Sequence, residues 1–305
     1  MSQQWTADIH FTAADAATLI GQQVPALAPV RLTPLGAGWD NAAFLINETM
    51  VFRFPLRQAM AALLLRETEI LPRIAPHLPL PIPDPHYIGE PTVAYPFAFA
   101  GYPFLGGRTA DQQPPSLPER AKLVPALAGF LAALHRIPVD DETRRWAPGD
   151  EITRADMVRR APQLRDRLTA NATALAPEEV AALIALVDDL ATTPPAQATC
   201  WVHGDLYARH LLLDEANRLA GVIDWGDTHL GDPALDLSIA YSFLPAPARR
   251  AFIAAYGDTD TAIWRRARFR AIHYGAILTE YGVAVGDHAI RDLGLDALRF
   301  ALEEH

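Results

Sequence analysis

Cysteine is almost missing from this chain: Cys200 is the single one in 305 residues. No intrachain disulfide can form and an all-cysteine metal site is excluded, so a reducing, cytoplasmic setting is expected. Positive charge is also short. Lys and Arg total 26 against 36 Asp and Glu, a formal net charge of −10. That balance argues against nucleic acid as a partner, because phosphate-backbone binding draws on clustered Lys and Arg. Long apolar runs are lacking too. The best one, Leu123 to Leu134, is too short to span a bilayer and is interrupted by Pro125. The opening residues, Met1 to Ala17, have neither a basic n-region nor an apolar h-region, so no secretory signal and no membrane anchor are expected. No internal repeat or low-complexity tract stands out, and nothing in the chain indicates an oligomeric state.

Half of the residues are hydrophobic, enough for a substantial core, and the length suggests two lobes. Helical periodicity marks Ala13–Val24. Strand-like segments follow at "RLTPL", Ala42–Ile46 and Val51–Phe54, with a turn at Asn47-Glu48-Thr49. A helix is expected over Met60–Ile74, then extended segments around Tyr87–Glu90 and through "AYPFAFAGYPFLGG". Proline-rich connections occupy Leu78–Pro85 and Gln112–Pro118. Beyond Gly107 the pattern is mainly helical. A sheet-rich N-terminal lobe (1–101) thus precedes a larger helical lobe (102–305).

The stretch "WVHGDLYARHLLLDEANRLAGVIDWGDTHLGDPALDLS", Trp201 to Ser238, interrupts those helices and concentrates the chemistry. Carboxylates flank two short apolar strands, Leu211–Leu213 and Gly221–Ile223. A buried carboxylate is costly unless a cation or hydrogen-bond donors meet it. His203-Gly204-Asp205 opens a loop, His210 follows five residues after Asp205, and the second strand ends in Asp224-Trp225-Gly226. This is the layout of a kinase catalytic loop followed by a metal-binding loop.

In the forms "HGDL" and "IDWGD…GDPALDL" the chain resembles the aminoglycoside phosphotransferase family, from about Leu35 to Leu237. The motif forms are most similar to the 2″-aminoglycoside and macrolide phosphotransferases. The resemblance implies an α+β, bilobal protein-kinase-like fold, with a small antiparallel-sheet lobe before a helical one. It also implies a small-molecule O-phosphotransferase using Mg²⁺ with ATP or GTP, acting on an antibiotic or a related alcohol. Asp205 would orient the acceptor hydroxyl and take its proton. Asp224 would hold Mg²⁺, a hard ion that prefers oxygen. His210 stands where the general kinase pattern has asparagine. It is either a further metal ligand, although imidazole suits zinc or manganese better, or a buried, hydrogen-bonded histidine. Asp232 or Asp236 would accept internal donors, Asp227 reads as a turn residue, and His135 as a packing histidine.

The nucleotide side is expected in "LGAGWDNAAFLI", where Gly36, Gly38 and Asn41 allow backbone amides to approach phosphate; a simple hairpin is the alternative. On the next strand the resemblance puts Arg53 at the usual lysine position, paired with Glu67 on the following helix; an exposed strand arginine is the alternative. Between Ser238 and Gly286 six arginines outnumber the acids Asp258, Asp260 and Glu280. If that segment lined the acceptor cleft, it would disfavour a polycationic aminoglycoside relative to a macrolide or a metabolite alcohol. The run Arg265–Arg270 itself reads as a solvated helix face, and Cys200 as a small core residue. A metabolite kinase of the same fold and a nucleotide-binding regulatory pseudokinase are the alternatives. A protein kinase is disfavoured, because only Thr228–Gly231 separates Asp227 from Asp232, too little for a peptide-docking loop.

Overall fold

The computed structural model describes residues 7–37, 40–171, 174–196, 199–257 and 260–303. The chain divides into two units: Met1–Pro76 with Pro81–Gly106 and Asp224–Asp227, and His77–Leu80 with Gly107–Ile223 and Thr228–His305. The loop bearing Asp224 is therefore grouped with the N-terminal unit.

In that first unit a helix, α1 (Ala13–Gln23), begins at Thr12, whose side chain and Asp15 form a capping box. Three strands follow, β1 (Leu32–Ala37), β2 (Asn41–Ile46) and β3 (Met50–Pro55). Then come α2 (Gln58–Ile74), β4 (Tyr87–Gly89) and β5 (Phe99–Pro103). The strands form one antiparallel sheet in the order β1-β2-β3-β5-β4. The β2–β3 turn holds Asn47 and Glu48 at φ 50° and 59°. Asn47 suits this left-handed backbone, and its side chain also accepts from Arg31 N and donates to Leu27 O. Alternation along β2 and β3 sends Phe44, Phe52 and Phe54 into a core with Phe99, Tyr95 and the α1 residues Ala16, Leu19 and Ile20. Phe54 and Phe99 stack at 4.7 Å. Gly101 lies under the Phe52 ring, where a Cβ would come within 2.5 Å of it.

The second unit begins with a short strand, β6 (Arg108–Thr109). Five helices follow: α3 (Leu117–Lys122), α4 (Val124–His135), α5 (Asp141–Trp146), α6 (Met157–Ala170) and α7 (Pro177–Leu190). Four short strands come next, β7 (Cys200–Val202), β8 (Leu211–Leu213), β9 (Leu219–Val222) and β10 (His229–Gly231). The chain closes with α8 (Ala234–Leu237), α9 (Ile239–Ser242), α10 (Ala246–Tyr256), α11 (Thr261–Val285) and α12 (His288–Leu302). The strands pair antiparallel as β6-β8-β9 and β10-β7. Leu164, Leu168, Leu183, Val187, Phe269, Ile272 and Leu298 bring α6, α7, α11 and α12 into one apolar cluster. The antiparallel-sheet N-terminal unit and the helical second unit agree with the α+β architecture expected from sequence. No helix among the described residues is long and apolar enough to cross a membrane.

The solvated arginine face expected over Arg265–Arg270 is not what forms. Arg266 and Arg270 are buried. Arg266 Nε donates to Asp232 Oδ2 at 2.6 Å, Arg268 Nε to Ala301 O at 2.7 Å, and Arg265 pairs with Asp189 at 3.0 Å. Arg249 is fully buried and donates to Ala240 O and Phe300 O. These guanidiniums cap helix ends and satisfy carbonyls. Charge counted along the sequence therefore overstates the positive field this segment presents.

Candidate active site

The residues singled out from sequence fall into two groups, one in each unit. In the first, β3 alternation that buries Phe52 and Phe54 turns Arg53 to the opposite face of the sheet. There its guanidinium forks: Nη1 donates to Glu67 Oε2 at 2.8 Å and Nη2 to Asp224 Oδ1 at 2.9 Å. Glu67 lies on the buried stripe of α2, between Leu64 and Leu71, and is 1% exposed. Its second oxygen accepts from the Tyr102 hydroxyl at 2.8 Å. Burial pushes the Glu67 carboxyl upward, against the pull of Arg53. Two donors on two oxygens nevertheless match the acceptor-only, ionised form. Burial also opposes the Arg53 charge, but Glu67 and Asp224 hold its pKa above the ordinary value. Tyr102 was not singled out from sequence. Its only signal is a polar tip on a strand that pairs with β3.

Asp224 sits at φ 66°, left-handed backbone that aspartate tolerates. Its side chain is 49% exposed, unlike Glu67 beside the same guanidinium. Asp227 occupies the following turn. Asp40, paired with Arg57 at 3.1 Å, has its carboxyl raised mainly by burial, with Asp224 and Asp227 adding negative charge. An all-oxygen donor set with accumulated negative charge fits a hard divalent cation. Among the described residues no group of three or more His, Cys, Asp and Glu converges to hold a metal by itself. One or two carboxylates suffice for an ion whose other ligands are phosphate and water. Gly36 lies on β1 with open space where a Cβ would stand, and Asn41 begins β2 opposite Pro55. Gly38 lies outside the described residues.

In the second unit β7 delivers His203, Gly204 and Asp205. Gly204 takes φ 83°, a conformation glycine adopts without strain. The fully buried Asp236 clamps this turn. Its Oδ2 accepts from His203 N at 2.7 Å and its Oδ1 from Gly204 N at 2.9 Å. His135 Nε2 lies 3.1 Å from Oδ2, and its other nitrogen 2.9 Å from the Tyr256 hydroxyl. Burial works against the Asp236 charge, yet His135 and the backbone donors keep its pKa below the ordinary carboxylate value. His135 is thus the packing, hydrogen-bonding residue expected. His203 Nε2 donates to Ile223 O at 3.0 Å, and burial depresses its pKa. The imidazole is neutral and serves as a strut.

Asp205 is half-buried, and the Tyr274 hydroxyl of α11 is hydrogen-bonded to its side chain. Burial first, then the Asp205 charge, holds the Tyr274 pKa well above its ordinary value, so it donates. The Arg270 guanidinium stacks over the Tyr274 ring at 4.7 Å. Neither residue was picked from sequence, and their spacing on one helix face is the one signal that links them. His210 is buried. Its Nδ1 donates to Asp205 O at 2.7 Å, and its ring meets Tyr207 edge-on at 4.4 Å. That hydrogen bond sets the tautomer whose lone pair is on Nε2, the form a metal ligand requires. Arg209, in the same turn, donates to Asp111 at 2.8 Å and to Asp287 at 3.3 Å. Cys200 is partly buried and its thiol pKa is raised by burial, as for an unreactive packing residue.

The fold, with its loops, is kinase-like. A model of the phosphotransferase enzyme family matches residues 31–270, and the chain belongs to that family. An uncharacterized protein, YcbJ, from Bacillus subtilis (strain 168) is 25% identical over 200 residues, 63% of this chain and 59% of that one. The chain thus matches less than two thirds of that relative's length. Among solved structures, the GDP complex of wild-type aminoglycoside 2'-phosphotransferase-IIIa aligns with a TM-score of 0.72 at 24% identity, over 96% of this chain and 99% of that one. The apoenzyme of macrolide 2'-phosphotransferase MphH from Brachybacterium faecium aligns with a TM-score of 0.63 at 20% identity, over 93% and 97%. At these identities the structural likenesses establish the fold.

Proposed function

We propose that the protein transfers the γ-phosphoryl group of ATP or GTP to a hydroxyl of a small molecule, in the cytoplasm. The observation that carries this reading is the Arg53 fork, a cation for phosphate held between a buried helix glutamate and the half-exposed carboxylate of the Asp-Trp-Gly loop. In this reading the acceptor oxygen attacks the γ-phosphorus, the bond to the bridging oxygen of the nucleoside diphosphate breaks, and the hydroxyl proton passes to Asp205. Tyr274 orients that carboxylate and Asp236 fixes the loop that bears it. Arg53 meets the phosphates, with backbone amides around Gly36, Gly38 and Asn41 assisting. Asp224 holds the cation, taken to be Mg²⁺, and His210 either adds a ligand or orients the loop through Asp205 O. The metal, when bound, supplies charge neutralisation on the phosphates.

The acceptor is an antibiotic of the aminoglycoside or macrolide kind, or a related alcohol. A less cationic acceptor, a macrolide or a metabolite alcohol, is favoured over an aminoglycoside by one observation: the Arg270 guanidinium lies against Tyr274, the partner of Asp205, an unfavourable neighbour for a ligand bearing several ammonium groups. The test is a phosphorylation screen with ATP and GTP against aminoglycosides, macrolides and metabolite alcohols. In it Asp205→Asn should keep nucleotide binding and lose turnover by roughly 10²–10⁴, the scale of general acid–base catalysis. Unchanged turnover, with the acceptor step shown to limit the rate, overturns the assignment.

A further inference from the structure

Arginine at position 53 does more in this protein than neutralise Glu67. The two terminal nitrogens of one guanidinium divide their bonds between Glu67 Oε2 at 2.8 Å and Asp224 Oδ1 at 2.9 Å. The partners differ in what they demand. Glu67 is buried, and without a cation its charge would be stranded at large cost. Asp224 is half exposed, so water can solvate it if Arg53 lets go. The Glu67 side of the fork is therefore the fixed one, reinforced by Tyr102 on Oε1, and the Asp224 side is the one that can open. Asp40 and Asp227 add negative charge around that carboxylate, so a divalent cation is drawn to the place where the guanidinium already stands.

We propose that Arg53 is a latch on Asp224: in the nucleotide-free protein it occupies the metal-binding carboxylate, so the divalent cation is taken up together with the nucleotide and not before it. The phosphates open the latch by offering the Nη2 donor a stronger anion, and the freed Oδ1 turns to the metal. A lysine there would behave differently. Its reach to the terminal nitrogen is shorter and it ends in one ammonium group, which the buried Glu67 would retain, leaving Asp224 unlatched. This inference rests on the reading of Asp224 as the metal-holding residue, and the experiment separates failure of the one from failure of the other.

The test measures Mn²⁺ binding to the full-length protein by electron paramagnetic resonance and calorimetry, with and without a non-hydrolysable ATP or GTP analogue. The wild type should bind Mn²⁺ weakly alone and much more tightly with the analogue. Arg53→Lys keeps the charge that Glu67 needs, so it should fold, as urea unfolding would verify. It should bind Mn²⁺ alone about fivefold more tightly, the worth of one partly exposed ion pair, and the gain from added analogue should shrink. If Arg53→Lys binds Mn²⁺ alone as the wild type does, the latch is wrong. It is equally wrong if only Arg53→Met tightens binding, because removing charge–charge repulsion would then explain the change. Asp224→Asn added to Arg53→Lys should abolish the gain. If Mn²⁺ binding persists there unchanged, Asp224 is not the ligand, and the underlying reading falls together with the latch.

Discussion

The acids of Asp224–Asp227 and those of Asp232–Asp236 are near neighbours in sequence, each segment beginning and ending in aspartate, and they meet opposite fates. Asp236 has no exposed surface and accepts from two backbone amides and a histidine. Asp232 is buried, held by Arg266 and by Ala234 N. Asp224 keeps half of its side-chain surface, and Asp227 sits partly buried in the turn that follows. A carboxylate saturated with internal donors is part of the fold. One left half exposed, with its backbone in the left-handed region, has surface to offer a ligand. The difference lies in what surrounds each acid, and residue type alone does not reveal it.

The hardest way to break this comparison is to remove the saturated acid. Asp236→Ala leaves His203 N, Gly204 N and His135 without their common acceptor, and should cost about 3–5 kcal/mol of folding stability. Urea unfolding at neutral pH measures it, and a loss below about 1 kcal/mol would show that water replaces the carboxylate at no great cost. Asp236→Asn keeps one acceptor oxygen and should lose less.

The same contrast can be drawn between imidazoles. His135 has a partner on each nitrogen, whereas His273 on α11 is buried and its Nδ1 has none among the described residues. Burial, with Arg270, Arg160 and Arg167 nearby, pushes the His273 pKa down from 6.5 to about 3. The unfolded chain takes up this proton near its ordinary pKa, and the folded chain does not until the lower one. Between those values the unfolded form binds more protons, so stability falls as the pH falls, by about 1.4 kcal/mol per pH unit from this one group. Above pH ~6.5 the contribution is complete. His273→Leu should flatten the wild-type acid slope by that amount in urea unfolding from pH 7 to 4. Equal slopes would mean that the imidazole is protonated in the fold.

How much of this was legible beforehand follows from the kind of signal. The β2–β3 hairpin, α2 and the motif loops announce themselves through alternation, helical periodicity and fixed spacing. Arg53 and Glu67 were paired from sequence, and they do meet. The loop-holding role expected of Asp232 or Asp236 was legible through the family resemblance, and both acids do accept internal donors. Tyr102 and Tyr274 were not, because each acts through a partner distant in sequence, Glu67 and Asp205, that no local pattern specifies; Arg270 was read as part of a solvated face, although Tyr274 stands four residues on along the same helix. The arginines of α10 and α11 misled for a related reason. A count of charges does not say that Arg249, Arg266 and Arg268 end on carbonyls and Asp232 inside the unit. The strand pair β7–β10 escaped because its two short members carry no run of like apolar residues such as Leu211–Leu213 offers.

The smallest expected effect on folding belongs to Asp224, and it sharpens the comparison most. Asp224→Asn removes one ion pair to Arg53, which keeps its bond to Glu67. Asparagine also tolerates the left-handed φ that this position requires, so no backbone strain is added. A partly exposed pair of this kind contributes about 0–1 kcal/mol, and the urea midpoint should move little. Metal-dependent nucleotide binding should be lost, because an amide oxygen offers a divalent cation no charge. Calorimetric titration of the nucleotide with and without Mg²⁺ separates the two roles. If the variant unfolds readily but binds metal–nucleotide normally when folded, Asp224 belongs with Asp236 as a structural acid. Retained stability with abolished metal dependence would set the two segments apart as the surroundings of their carboxylates imply.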